Sequence, residues 1–558
     1  MESNNKSMTE SAQQAAAQER ADAAWKPRAN QWAIALTVTL ATFMEVLDTS
    51  IANVALPHIA GGLGASQDEA TWVLTSYLVA NAIILPASAY MTTFIGRKKF
   101  YMMCVVMFGI SSMLCGLAPS LPLLILFRVM QGAGGGGLAP SEQAILADTF
   151  SPKDRGKAFA LYGLAVVVAP AIGPTLGGWI TDNYDWRWIF FINVPVAIVS
   201  LFLTSRLVED PPHVKREVAA SQKKGLDLDY FGFALLALGF GSLEFILDKG
   251  QEDDWFGSRL ILYGVILCVG SLVTLIFYEL RQIRLGRKPI LNLTLFKNRT
   301  FAISFGLMFV LGFALFGTTV LIPQFTQTLL GYTAELAGLA LSPGGLTVML
   351  MMPVVGILVG RVDPRYLIAY GFVITASALA LMHTLNLGVS YSYIAWLRVF
   401  QASGLAFLFV PINTIAYTDI PRTQNNDVSG LTNLARNIGG SVGTSFVATM
   451  LARRSQVHEA MMVAHLTPGD AAYANRVGAL RRFFAGTGGA GGPSSAGHSS
   501  SQAAVMARAR IYQQLHAQSA MLAYLDIIYA LAIGCILMVP IVFFMKKRQG
   551  PAGEVAMH

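Results

Sequence analysis

LFRVMQGAG (126–134) and WLRVFQASG (396–404) lie in two separate apolar stretches and place the same residues at the same spacing. Arg128, Val129, Gln131 and Gly134 match Arg398, Val399, Gln401 and Gly404. A second pair of passages keeps similar company: GRKK from Gly96 and GRVDPR from Gly360 each follow an apolar stretch. Around these anchors the chain reads as fourteen spans, with approximate limits 32–56, 70–92, 100–117, 122–147, 156–178, 188–206, 227–247, 258–279, 301–323, 336–359, 366–384, 393–417, 429–451 and 522–545. Both matches are offset by eight spans, so six helices are repeated and two are inserted between the repeats. Parallel repeats of this kind are related by an axis along the membrane normal.

Composition agrees with that reading. Of 558 residues, 54% are hydrophobic and only 13% are charged, against about a quarter charged in soluble domains. Mean hydropathy is +0.52. Each span is long enough to cross roughly 30 Å of hydrocarbon. A soluble enzyme and a disordered chain are both excluded, and the expected class is an all-α polytopic membrane protein with 14 transmembrane helices arranged 6 + 2 + 6. Cys104, Cys115, Cys268 and Cys535 all lie within apolar runs, without the spacing of a metal knuckle or disulfide framework. No metal or cofactor is expected.

Lysine and arginine set the expected orientation. With the N-terminus inside, the cytoplasmic side receives Arg97, Lys98 and Lys99, then Lys153, Arg155 and Lys157, then Lys215, Arg216, Lys223 and Lys224. Arg281, Arg284, Arg287, Lys288, Lys297 and Arg299 follow, and Lys546, Lys547 and Arg548 come last. The short external loops hold Arg187, Lys249 and Arg259. The net charge of +8 therefore belongs to the inner loops and is no sign of nucleic-acid binding. The expected organisation is a cytoplasmic tail (1–31), an N-terminal six-helix bundle (32–206), a cytoplasmic loop (207–226), two inserted helices (227–279), a second loop (280–300), a C-terminal bundle (301–545) and a cytoplasmic tail (546–558). Within the last bundle, 452–521 is expected to be a long periplasmic loop. Its GTGGAGGPSSAGHSSSQAA, from Gly486, reads as a mobile tether, with short helices around 477–484 and 503–512.

A charge at mid-bilayer costs at least about 2.5 kcal/mol, so each one asks for a role. TFMEVLDTSIANVALP (42–57) carries Glu45 and Asp48, three residues apart on one helical face. Counting about 1.5 Å per residue from the outer ends puts Asp48 about 12 Å and Arg128 about 9 Å deep, so the two are expected to meet. Glu45, Asp48 and Arg128 are the proton-coupling candidates: an acid that takes up and releases a proton, with Arg128 biasing its titration. The alternative is a static ion pair that orders the N-terminal half. Asn53, Asn81, Gln131 and Asn413 are candidate pocket groups or else helix–helix hydrogen bonds. Phe309, Phe313 and Met349 belong to an aromatic and methionine surface, with Phe305, Phe316, Met351 and Met352, that can re-pack around varied apolar ligands.

The other charged positions read as structural. Arg398 has no acid at equal depth in its own half and is expected to cap carbonyls or snorkel outward. Arg436 is expected to be structural or a gate contact. Glu244 and Asp248 are placed at a wet outer end, and His383 at a membrane face. GLAVVVAPAIGPTLGG (163–178) is the candidate conformational helix. Pro170 and Pro174 each remove an internal hydrogen bond, and Gly163, Gly173, Gly177 and Gly178 leave room for a neighbour. The glycines of GAGGGG (132–137) are expected to pack against the first span. That cluster lacks the lysine and serine or threonine of a nucleotide-binding loop, so transport driven by ATP is not expected.

LDTSIANVALP (47–57), RVMQGAGGG (128–136), APAIGPTLGG (169–178) and DWRWIFFINVP (185–195) resemble signature segments of the fourteen-span drug:proton antiporters of the major facilitator superfamily. The resemblance covers nearly the whole chain and is closest to the EmrB-type branch, the inner-membrane pumps of Gram-negative tripartite exporters. It implies proton-driven efflux of hydrophobic or amphipathic compounds, with a periplasmic membrane-fusion adaptor and an outer-membrane channel as partners. Asp48, Arg128 and the bent helix 163–178 take the family's places. There are two departures: MTTFIGRKKF (91–100) lacks the aspartate many relatives place before the glycine, leaving that charge relay incomplete, and the Gly/Ser-rich insert is unusual for the branch. A narrow exporter of a siderophore, fatty acid or envelope metabolite is the alternative reading. A receptor or scaffold that no longer transports is the remote one, and it predicts that the intramembrane acids can be lost without consequence.

Overall fold

The computed structural model describes residues 25–223, 229–464, 466–467, 470–486 and 500–546. Most of the expected tail 1–31, Lys224, the body of the Gly/Ser-rich insert, Lys547 and Arg548 lie outside the described residues. Among the described residues the chain is helical throughout, with no strand.

The first helix, α1 (Gln31–Leu63), starts where the Asn30 side chain accepts from the Trp32 amide. It runs through Pro57 and ends at Gly64, whose φ of 64° returns its amide to the carbonyls of Ala60 and Gly61. The expected limit at 56 is therefore seven residues short, and the helix-end depth count for Asp48 fails with it. The next helix, α2 (Gln67–Ile95), opens on a capping box: the Ser66 hydroxyl accepts from the Glu69 amide and the Glu69 carboxylate accepts from the Ser66 amide. Gly96, at φ 89°, makes the sharp turn into α3 (Arg97–Gly116).

The expected fourth span is two helices, α4 (Leu121–Gly135) and α5 (Leu138–Thr149), because the glycine run interrupts it. Those glycines lie chiefly against α2 and α3, and Gly135 also lies near the Glu45 side chain of α1. A Cβ on Gly132 would stand 2.3 Å from the Tyr77 carbonyl oxygen, one on Gly136 2.6 Å from that of Asn81, and one on Gly134 2.7 Å from the Phe108 amide. A Cβ on Gly135 would stand 2.6 Å from the Tyr77 hydroxyl, 3.2 Å from the Asn81 amide nitrogen and 3.3 Å from the Glu45 side chain. Small residues here let backbones approach where the lipid offers no hydrophobic drive between helices.

The next helices are α6 (Arg155–Asn183), α7 (Trp188–Phe191), α8 (Asn193–Leu207) and α9 (Pro212–Lys223); the last occupies what the sequence presents as a loop. Helices α10 (Tyr230–Lys249) and α11 (Arg259–Arg284) pack on each other, and α10 also touches α2 and a later long helix. Leu260, Tyr263, Ile266, Val273, Phe277 and Leu280 leave the outer face of α11 apolar and exposed, as lipid contact requires.

The remainder comprises α12 (Arg299–Thr328), α13 (Ala334–Leu358), α14 (Pro364–Leu381), α15 (Tyr391–Ala416), α16 (Asn425–Val463), α17 (Ala471–Gly486) and α18 (Ser500–Val542). The stretch expected as a separate short helix at 503–512 is the first part of α18, which continues unbroken into the last apolar stretch. Among the described residues, twelve helices are long and apolar enough to cross a membrane, or thirteen if α6 counts as one span despite its 43° bend. Helix α16, which contains the expected thirteenth span, has 39 residues but is not among those twelve.

Candidate functional site

Four helices converge on Asp48. Its Oδ2 lies 2.6 Å from Arg128 Nη1 of α4, while its Oδ1 accepts from Gln131 Nε2 at 2.9 Å and from Asn193 Nδ2 of α8 at 2.7 Å. Arg128 Nη1 also donates to Gln131 Oε1, and its Nε donates to the Val73 carbonyl of α2. The guanidinium lies over the Tyr77 ring at 4.3 Å. Asp48 and Arg128 are 2% and 0% exposed. The carboxylate thus has three donors and an opposite charge, which a buried charge needs to be tolerated.

Glu45 is differently placed. One turn before Asp48 and half-buried, it has no cation within ion-pair distance among the described residues. It accepts from Tyr77 Oη at 3.2 Å and Asn81 Nδ2 at 3.1 Å, both neutral donors of α2. Such a carboxylate can gain or lose a proton without breaking an ion pair. Nearby is an acid the sequence reading passed over. Glu142 of α5 is fully buried; its Oε1 accepts from Thr39 Oγ1 at 2.6 Å, and its Oε2 has no partner among the described residues. The signal was available, since Glu142 falls within the expected span 122–147.

The two halves of the chain meet through neutral polar groups. Gln143 Nε2 donates to Asn413 Oδ1 at 3.0 Å, and Asn433 Nδ2 donates to Gln143 Oε1 at 2.9 Å. Tyr162 Oη donates to Asn433 and accepts from Arg436 Nη1 at 2.7 Å. Asn425 reaches Asp148, and Asn426 reaches Thr92. Asp148 also pairs with the buried Arg97. The arginine of GRKK therefore has its carboxylate from the end of α5, although the aspartate before the glycine is missing. Asp210 accepts from the Lys98 amide at the same turn.

The structure places the other expected residues as follows. Asn81 and Gln131 are in the acid clusters, and Asn413 is in the contact between halves. Asn53 is exposed and outside both. Phe309 and Phe313 are half-buried where α12 crosses α16; their carbonyl oxygens sit where a Cβ on Gly439 or Gly443 would fall. Met349 is 50% exposed, on the same face of α13 as Leu346 and Leu350, while Met352 is buried. Glu244, expected at a wet helix end, is buried and accepts from Ser441 of α16. Arg398, expected to cap carbonyls or snorkel outward, is buried and donates to the Thr318 and Gln401 side chains.

The bend in α6 has a local cause. Pro174 has no N–H to offer the Pro170 carbonyl, and Ser50 Oγ of α1 donates there instead, at 3.3 Å. Cβ atoms on Gly173 and Gly177 would fall 2.3 Å from Ser50 Oγ and 3.1 Å from Ile51, so α6 rides on α1 just beyond Asp48. Gly163 faces Phe409 and Met352 of the second half, and Gly178 faces open space.

Residues 38–444 match the family model described as Major Facilitator Superfamily. The multidrug export protein EmrB of Escherichia coli (strain K12) is 38% identical over 434 residues, covering 78% of this chain and 82% of the relative. The fatty acid resistance protein FarB of Neisseria gonorrhoeae is 38% identical over 440 residues, covering 78% and 84%. Among solved structures, a double-tryptophan variant of XylE aligns with a TM-score of 0.57 over 93% of this chain and 97% of that one, at 14% identity, a likeness of fold.

Proposed function

Since the chain belongs to the Major Facilitator Superfamily and is a multi-pass secondary active transporter rather than an enzyme, we propose that it exports hydrophobic or amphipathic compounds across the inner membrane in exchange for protons. Glu45 carries this reading: an acid inside the first helix, held by neutral donors, beside an aspartate that is paired with an arginine. Glu45 is the proton carrier. Asp48 and Arg128 hold α1, α4 and α8 in register around it, and the bent α6 transmits the change between α1 and the second half. The relatives EmrB, a multidrug export protein, and FarB, a fatty acid resistance protein, support the substrate class.

The architecture in this reading is six helices, an inserted pair (α10 and α11) and six more, with both termini in the cytoplasm. An adaptor and an outer-membrane channel complete the export route. Reporter fusions at Ser221 and Gly286 are expected to read cytoplasmic, and one at Gly478 in α17 periplasmic; the opposite result at Gly478 overturns the orientation. The function itself is tested by the susceptibility of a deletion strain across a compound panel. Sensitivity to several unrelated uncouplers, lipophilic weak acids and lipophilic antibiotics is expected. Sensitivity to a single polar metabolite alone would defeat the reading.

A further inference from the structure

In the repeat that relates Arg128 to Arg398, one partner of the arginine is exchanged. Arg398 follows Arg128 by 270 residues, Gln401 follows Gln131 by the same step, and the residue that follows Asp48 by that step is Thr318. The geometry repeats as well. Arg398 Nη1 donates to Gln401 Oε1 at 2.6 Å and to Thr318 Oγ1 at 3.2 Å, as Arg128 Nη1 donates to Gln131 and Asp48. In the second half the guanidinium therefore has a hydroxyl where the first half has a carboxylate. Arg398 is 7% exposed, and no carboxylate lies within ion-pair distance of it among the described residues. Its Nε and the neighbouring Gln401 Nε2 are buried donors without an acceptor.

This arginine is not sealed in a dry core. It lines a small cavity between the halves with Val167 and Pro170 of α6, Leu315 of α12, Leu341 and Val348 of α13, and Leu405 of α15. The cavity holds about 20 Å³, enough for a water but not for a drug. One wall is Pro170, where α6 bends, so a change in that bend changes the width of the cavity. A buried positive charge flanked by free donors, with apolar walls and no acid of its own, is complementary to one kind of guest.

We propose that Arg398, with Gln401, binds the anionic headgroup of an amphipathic substrate, a carboxylate or similar acid on an apolar body. The inference rests on the proposed export of amphipathic compounds and names their headgroup class. The guest supplies the charge that Thr318 does not, by charge-assisted hydrogen bonds to the guanidinium, and its apolar body lies along the leucine and valine walls once α6 and α13 part.

The test is equilibrium binding of radiolabelled dodecanoate and, separately, neutral dodecanol to the purified full-length chain in lipid nanodiscs. Thr318→Asp installs the missing carboxylate and is expected to weaken dodecanoate binding at least about tenfold, the loss of one charge-assisted contact, with dodecanol unchanged. Arg398→Gln is expected to do the same, and Arg398→Lys to retain part of the preference. Unaltered dodecanoate affinity in Thr318→Asp, or equal loss of both ligands, overturns the proposal; the second result marks Arg398 as a packing residue. Binding does not require turnover. A chain that binds dodecanoate through Arg398 yet exchanges no protons defeats the antiport reading and upholds the site.

Discussion

Glu45→Gln is expected to reduce substrate-driven proton release from proteoliposomes to the level of protein-free vesicles, with the protein still inserted at parental abundance. Glutamine keeps the length of the side chain and an oxygen for Tyr77 and Asn81, so the bonds that position it survive. What it loses is the ability to exchange a proton, which a carboxylate within a pump supplies. Substrate binding should persist, because nothing in the proposed substrate cavity touches Glu45. The measurement is proton release on adding a lipophilic weak acid, at equal protein loading, beside Glu142→Gln. Parental rates in Glu45→Gln with loss in Glu142→Gln would move the coupling role to Glu142. Parental rates in both would remove it from this part of the molecule.

Arg128→Ala is expected to act on the fold. Removing the guanidinium strands the Asp48 carboxylate, 2% exposed and 2.6 Å from the lost partner, in a setting that cannot hydrate it. Breaking a buried pair from one side costs about 3–5 kcal/mol, enough to lower both membrane abundance and the thermal unfolding midpoint. Asp48→Asn combined with Arg128→Gln removes both charges and should recover a large part of that loss, because the two residues form one network and their effects are not additive. If Arg128→Ala instead leaves stability intact and removes only proton exchange, Asp48 and Arg128 belong to the coupling chemistry and their role as a fixed post is wrong.

The contrast between these two acids shows what a sequence can carry. A charge in an apolar stretch is conspicuous, so Glu45, Asp48 and Arg128 stand out, and helical spacing puts the two acids on one face. Glu142 shares its stretch with Ser141, Gln143 and Asp148 and looks interfacial. Only the break at Gly136 and Gly137 and the packing of α5 against α1 and α16 put it indoors. The contacts between halves are harder still to foresee. Gln143, Asn413, Asn433 and Tyr162 are neutral residues that many membrane helices tolerate, and their pairing across some 270 residues leaves no local periodicity. Helix ends fail for another reason: hydropathy marks where lipid stops, not where hydrogen bonding stops. Hence α1 runs on to Leu63 and α16 to Val463.

The unbroken course of α18 has a mechanical consequence. Its 43 residues make a rod of about 65 Å, roughly twice the thickness of the hydrocarbon it crosses. The rod is braced along its flank: Asp526 holds Arg454 and His458 of α16, Glu459 of α16 meets His516, α17 packs on it, and Ala503, Ala507, Ile511 and Leu515 form a buried stripe at four-residue spacing. Such a rod is a lever with its fulcrum in the bilayer. Each degree by which the C-terminal half tilts carries the far tip of α18 about half an ångström sideways, given roughly 30 Å of arm. A ten-degree rocking deep in the membrane would therefore be felt outside it as a stroke of about 5 Å.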